Sequence, residues 1–465
     1  MVKRLPTASV WLQAFLWLAL AGLPLCARPS GPAQAGLAFP ADQPKAGKAR
    51  PLPDRLPEKP TLPPAFTIPV DPLGFSAPGP IYLGQRWSIV SLDFLDEDRL
   101  LFTFRVPGLM RREAGDNAWG DQRQIRAVVL TLPAGTVESE ALWTVHDRSR
   151  YLWMLKDGHF LLRDRDGVEQ GDAKLELKPF LQFPGPLLWL EMDPMQQLLV
   201  TNSREPAEAA QKPGDVPSAD PHPNDQSLSP GTAVTAKAGV VADGRKAGGS
   251  PDLVLRILRR DSGQVMLVSR VRSAGRLPIN SDGYLESLQA NGEQWLLNLN
   301  YFRGGSTVLG RMNSTCSPAF DFVSQQELLV TACTSSGGRK LVAMATDGRR
   351  LWEDLTSSEA IWPLLVMAPD GSRLAQETLA VTHAVNAYSP IESEDVKGQV
   401  VRVFDAANGK VALEAPATPA LDAGGNVAIS PSGRRVALLN AGAIQVFELP
   451  APPTLADTAS EHAGH

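Results

Sequence analysis

The chain has 465 residues, a formal net charge of -5 and 43% hydrophobic residues. Length alone predicts two or three ordinary domains, or one large repeat domain. The slight acidic balance excludes a general phosphate-gripping surface, which needs concentrated Lys and Arg, so no nucleic-acid partner is expected.

In chain order, residues 1–35 read as an export signal. Lys3 and Arg4 give the positive start, and Val10–Leu25 is an apolar run too short for a membrane span. Ala33-Gln34-Ala35 fits small-x-small cleavage, with release between Ala35 and Gly36. A cut after Ala27, an uncleaved anchor and a lipid on Cys26 are the alternatives. No integral span is expected once the signal is removed, and the mature chain belongs to the periplasm or the exterior.

Residues 36–80 are expected to form a disordered tether. The stretch Ala27–Pro80 holds fourteen prolines and cannot bury enough apolar area to offset its ordering entropy. Ile81-Tyr82-Leu83 is short, apolar and flanked by turns.

From Val90 onward one grammar recurs: apolar strand, tight turn, apolar strand. Its plainest copies are Tyr151–Leu162, Leu365–Ala375 and Val427–Leu439, turning at Asp157-Gly158, Pro369-Asp370-Gly371 and Pro431-Ser432-Gly433. Proline fixes φ and glycine tolerates φ > 0, so these turns are tight. Weaker copies lie at Val90–Phe104, Leu188–Thr201, Leu285–Asn300 and Phe320–Thr331. A second strand pair follows most hairpins, as at Gly398–Val411 around Asn408-Gly409. Four antiparallel strands per unit, seven times over, predict an all-β fold, a seven-bladed β-propeller across residues 81–450.

Residues 204–250, with six prolines and six glycines, read as a disordered insertion within one blade. Residues 451–465 read as a disordered tail. The last unit supplies only three strands, so Ile81–Leu83 is expected to add the fourth and close the ring.

Ile429-Ser430-Pro431-Ser432-Gly433-Arg434 and Ala368-Pro369-Asp370-Gly371-Ser372-Arg373 resemble the Ser-Pro-Asp-Gly turn of WD40-like and YVTN-type propellers. Val403-Phe404-Asp405 with Asn408-Gly409-Lys410 resembles the end of a WD40 third strand. The resemblance is clear over residues 361–449. It implies the propeller fold and no particular activity.

Cys316 and Cys333 are an even pair in an exported chain, at the end of one unit and within the next, and a disulfide between them is expected. No Gly-x-Ser-x-Gly elbow and no phosphate-binding loop occur. Asp164–Asp172 alternates carboxylates around a glycine, yet it misses EF-hand spacing and reads as a hairpin turn. His146, His159, His222 and His383 are scattered, and the recurring tryptophans read as filler between blades. No catalytic residue, metal ligand or cofactor is assigned. A quinoprotein would need adjacent cysteines, which this chain lacks.

These readings converge on an exported monomer that binds a protein or small ligand on a propeller face. The rival is a lactonase-like hydrolase or oxidoreductase with a metal in the channel. It needs carboxylates or histidines from several blades to converge. A purely structural envelope component is the third possibility.

Overall fold

A computed structural model describes residues 56–78, 88–108, 122–146, 149–205, 252–272, 275–383 and 392–452. The described residues form seven antiparallel sheets in chain order, the blades of a β-propeller. Strands within a blade are lettered A to D from the axis outward.

Blade 1 is Val90–Phe94, Arg99–Arg105, Arg123–Thr131 and Thr136–Val145. Blade 2 is Leu152–Met154, Phe160–Asp164, Gly167–Gly171 and Leu177–Gln182. Blade 3 is Leu187–Met192, Leu198–Glu205, Asp252–Arg259 and Val265–Val271. Blade 5 is Ala319–Phe322, Glu327–Cys333, Arg339–Ala345 and Arg350–Thr356. Blade 6 is Ala360–Met367, Arg373–Val381, Val396–Asp405 and Val411–Ala417.

Blade 4 has three full strands, Gly283–Asn291, Gln294–Tyr301 and Ser306–Asn313. They correspond to B, C and D. Strand A is reduced to the stretch ending at Ile279, which bridges Tyr284 across the Asn280–Gly283 turn. The hairpin expected at Leu285–Asn300 is therefore a B–C hairpin, one strand further out than the sequence grammar implies.

Blade 7 contributes Val427–Ile429, Arg435–Asn440 and Ala443–Glu448. Its fourth strand comes from the other end of the chain, but not from Ile81–Leu83, which lie outside the described residues. Phe66–Pro69 pairs antiparallel with Ala443–Val446, Phe66 opposite Val446 and Pro69 opposite Ala443. The tether expected over 36–80 thus gives way to ordered chain before residue 80. Pro69 fits here because it ends an edge strand, where no further ladder bond is asked of it.

Why the strands are apolar on both sides follows from how the blades pack. The described residues hold seven apolar clusters, and each straddles one boundary between neighbouring blades. The cluster between blades 7 and 1 includes Ile68, Val70, Leu73 and Phe75 from the closing segment. The Phe75 ring lies 5.5 Å from both Phe102 and Phe104 of blade 1. Burying such side chains contributes about 1.5–3 kcal/mol each, so the closing segment is held by its packing as well as its four-residue ladder. Trp143 against Phe160 and Trp352 against Phe404 are aromatic fillers between blades, as expected of them.

Arginines tie blade to blade through backbone carbonyls. Arg163 of blade 2 donates to Leu188 O of blade 3 at 2.9 Å. Arg373 of blade 6 donates to Gly433 O of blade 7 at 2.9 Å and to Pro450 O at 2.8 Å. Arg435 of blade 7 donates to Glu97 O of blade 1 at 2.6 Å. Gly433 sits at φ 68°, and a Cβ there would collide with Ser372 Oγ of blade 6. Glycine in this turn serves both the backbone angle and the close approach of two blades.

The expected insertion over 204–250 starts slightly late, because Arg204 and Glu205 still pair with Leu253 and Asp252. Residues 206–251 lie outside the described residues, as do the signal and its cleavage pair Ala35 and Gly36. Among the described residues no helix is long and apolar enough to cross a membrane.

Cys316 and Cys333 form the disulfide, with Cα atoms 5.5 Å apart. It joins the connection after blade 4 to strand B of blade 5. Ser314 organises the joint: its Oγ donates to Cys316 O at 2.6 Å and accepts from Cys333 N–H at 2.9 Å. The bridge closes a loop with a sequence separation of 17, worth roughly 3 kcal/mol on the chain-entropy model. Denaturation of the full chain with and without reductant is expected to differ by about 3 kcal/mol. An unchanged midpoint on verified reduction would show that the bridge adds nothing to stability.

Candidate functional site: the charged axial channel

The A strands approach one another around the axis: that of blade 1 contacts those of blades 7 and 2, and that of blade 7 also contacts that of blade 6. Each blade turns from A to B at one corresponding residue, whose N–H bonds back across the turn. These residues are Leu95, Leu155, Asp193, Asn280, Val323, Ala368 and Ser430. Two positions before each stand Asp93, Trp153, Glu191, Pro278, Asp321, Val366 and Ala428. Side chains alternate along a strand, so these seven share one orientation, toward the next blade at the inner wall. Carboxylates occupy the position in blades 1, 3 and 5.

Two arginines interleave with them. Arg276, on the reduced A strand of blade 4, donates to Glu191 Oε1 at 2.7 Å and also bonds Asp321 Oδ1. It therefore bridges blades 3, 4 and 5. Its guanidinium lies over Trp189, 5.8 Å from the ring centre. Trp189 in turn donates from Nε1 to Glu191 Oε2 at 3.3 Å. Arg276 keeps 42% of its side chain exposed, while Glu191 and Asp321 keep 14% and 13%. The arginine end of the two ion pairs is therefore open to solvent. A unit-charge pair near 4 Å attracts by about 4 kcal/mol at the intermediate dielectric of such a place. Burial pulls the Arg276 pKa down, but its two carboxylate partners outweigh that and raise it.

Arg150 stands just before strand A of blade 2. Its Nε donates to Leu152 O at 2.9 Å, and its guanidinium lies 5.3 Å from the Trp153 ring centre. Asp93 of blade 1 is half-buried and accepts from Ser91 Oγ. Burial raises the Asp93 pKa, and Ser91 and Arg150 oppose the rise. Asp321 behaves alike: burial raises it and Arg276 opposes. Tyr151 is fixed at the blade 1–2 boundary by a 2.7 Å bond between its hydroxyl and Thr103 Oγ1, and burial pushes it up to about 12.

On blade 6 the wall changes character. Strand A offers Leu364 and Val366, and Glu377 of strand B, 1% exposed, lies opposite Leu364 in register. Its Oε2 accepts from Gln399 Nε2 at 3.2 Å. Gln399 is itself held by Leu421 N–H and by Asn426 Nδ2, at 2.9 and 2.7 Å. No cation pairs with Glu377 among the described residues, so burial pushes its pKa from 4.5 up to about 8, against a smaller pull from the Gly425 N–H.

The A–B turns share one end of the ring and touch their neighbours. Gln196 donates to Met154 O and accepts from Lys156 N–H. Gln325 accepts from Ser281 N–H and donates to Asp193 Oδ2. Glu97 accepts from Ser432 N–H. The turn end is thereby a stiff face, with Asp157, Ser281 and Asp370 exposed on it.

Of the residues singled out by sequence, the two cysteines come together, and so do His146 and Asp164. Asp164 accepts from the His146 backbone N–H and contacts its ring, within a turn where Arg165 has φ 51°. The Asp164–Asp172 stretch is thus a hairpin, as expected. His159 pairs with Asp157 and His383 with Asp395, and His222 lies outside the described residues. No group of three or more His, Cys, Asp or Glu side chains among the described residues could hold a metal ion. The five channel charges carry no local signal in the sequence. Alignment of the units on their turn residues is what exposes the three carboxylates.

No family model matches the sequence, and no curated protein matches it. Solved structures similar to it include an acylaminoacyl peptidase of Pyrococcus horikoshii, at 9% identity and TM-score 0.41, over 80% of this chain and 54% of that one. Another is the β-propeller domain of the Trilobed protease from Pyrococcus furiosus, at 10% identity and TM-score 0.39, over 80% of this chain and 98% of that one. A third is an uncharacterized Listeria monocytogenes protein, at 9% identity and TM-score 0.41, over 82% and 99%. The chain spans little more than half the length of the peptidase structures. At these values the likeness lends no activity to this chain.

The sign of the Glu377 effect follows from its raised pKa. Below pH 4.5 both folded and unfolded carboxyls hold their proton, and this stability is fully present. Between 4.5 and about 8 only the unfolded one ionises, so stability falls with rising pH, and it levels off above about 8. Between pH 5 and pH 9 the wild type is expected to lose about 2 kcal/mol or more relative to Glu377→Gln. Parallel denaturation curves of the two proteins at both pH values would contradict this.

Proposed function

We propose that the chain is an exported, monomeric recognition or scaffold propeller of the WD40-like and YVTN-type kind, working in the periplasm or outside the cell. It binds a protein or small ligand on a ring face. The observation that carries this reading is the pairing of two of the channel carboxylates with one arginine. Arg276 neutralises Glu191 and Asp321, where a channel-metal enzyme would keep carboxylates free to converge on an ion. The stiff turn end supplies the presenting surface, since residues on loops fixed by a rigid scaffold are the common binding elements of such folds. The disulfide supports an oxidising compartment.

The test is recovery of the chain from its native cell envelope, after tagging, with partners identified by mass spectrometry. One defined protein is expected to be enriched with the wild type. It is expected to be lost when Asp157, Ser281 and Asp370 are all changed to Lys in a chain that still folds. Recovery of a lone monomer would overturn the protein-partner form of the reading, and a stoichiometric bound metal would overturn it in favour of the enzyme.

A further inference from the structure

We propose that the channel beside blades 1 and 2 binds the amino-acid moiety of a small zwitterion, its carboxylate held by Arg150 and its ammonium by Asp93. This rests on the recognition reading and names a ligand class for it.

The channel charges differ in how far they are already committed. Arg276 is bound to Glu191 and Asp321. Those three form a closed set with little left to offer a guest. Arg150 and Asp93 are different. Asp93 is among the charges that bear on Arg150, yet no ion pair joins them among the described residues. Arg150 uses Nε alone, on Leu152 O. Both its terminal nitrogens lack a partner among the described residues, and the side chain is open to water. Asp93 uses Oδ2 on Ser91, and Oδ1 has no hydrogen-bond partner among the described residues.

The pair is also held in place. The Nε bond and the Trp153 face fix the guanidinium plane from two directions. Trp153 is gripped on its own account by Arg163, 5.7 Å from the ring centre. A guanidinium fixed in this way, its two N–H₂ groups without a partner among the described residues, matches the bidentate geometry of a carboxylate. Asp93, on the neighbouring blade and with its charge bearing on Arg150, provides the opposite pole. A simple anion would gain Arg150 but meet the Asp93 charge, and a simple cation would meet the reverse. A guest that carries both poles close together satisfies both.

The experiment is a thermal-shift screen of the full chain against each standard free L-amino acid, followed by calorimetry on the best binder. That binder is then compared with its deaminated acid and its decarboxylated amine. Saturable binding is expected for at least one amino acid, with both truncated analogues weaker by about ten-fold or more. Arg150→Met, which keeps the stem over Trp153, and Asp93→Asn are each expected to weaken it similarly. Arg349→Ala, on a side chain 68% exposed, is expected to leave it unchanged. No binding by any amino acid would overturn the proposal, as would equal binding of either analogue. The analogue comparison needs no variant, so misfolding of a mutant cannot obscure the outcome. A negative result would leave the envelope-recovery experiment untouched, so the ligand class and the protein-partner reading fall separately.

Discussion

The pairing of Phe66–Pro69 with Ala443–Val446 is the constraint on which the rest of the ring depends. No blade of a propeller has a core of its own. Each apolar cluster needs two neighbouring blades, so six boundaries can form along the chain but the seventh requires its ends to meet. Without that meeting, blades 1 and 7 would each expose an apolar face, and blade 7 an unpaired edge. The loop-closure cost grows only slowly with chain length. Ile68, Val70, Leu73 and Phe75 are buried in one step when the ends meet, which is how a four-residue ladder suffices.

Closure also explains the stiffness of the channel. A ring with no free end fixes seven A strands about one axis, so one position per repeat becomes a set of seven wall residues. Evolution of a site then needs no new backbone. In blades 1, 3 and 5 the position holds Asp93, Glu191 and Asp321, and in blades 6 and 7 it holds Val366 and Ala428. The same register serves charge on one side and packing on the other. Arg276 spans three blades from the one blade whose A strand is reduced. A short strand there leaves space for a long side chain, and the ion pairs stand in for part of the missing ladder.

How much of this is legible in the sequence depends on the range of the signal. The hairpins at Tyr151, Leu365 and Val427 are legible because their cause is local: glycine in a tight turn between strands buried on both faces. The disulfide is legible from two cysteines in consecutive units. The closing strand is not. Phe66-Thr67-Ile68-Pro69 lies among prolines that argue for an extended tether, and Ile81-Tyr82-Leu83 is the more apolar stretch. What selects the former is packing against Phe102 and Phe104, a long-range fact. Blade 4 reads one strand out of step because its A strand is a single bridge. The channel pairs belong to residues up to 85 positions apart, such as Arg276 and Glu191, and convergence of that kind has no trace in local spacing.

The measurement that bears most directly on ring closure is native-state hydrogen exchange followed by mass spectrometry. Peptides covering residues 65–70 are compared with those covering 436–446. If the closing strand is integral to the ring, both regions exchange together, at the rate of global unfolding. Rapid exchange at 65–70 while 436–446 stays protected would mean that the ring holds without its closing strand, and that the fold does not depend on closure.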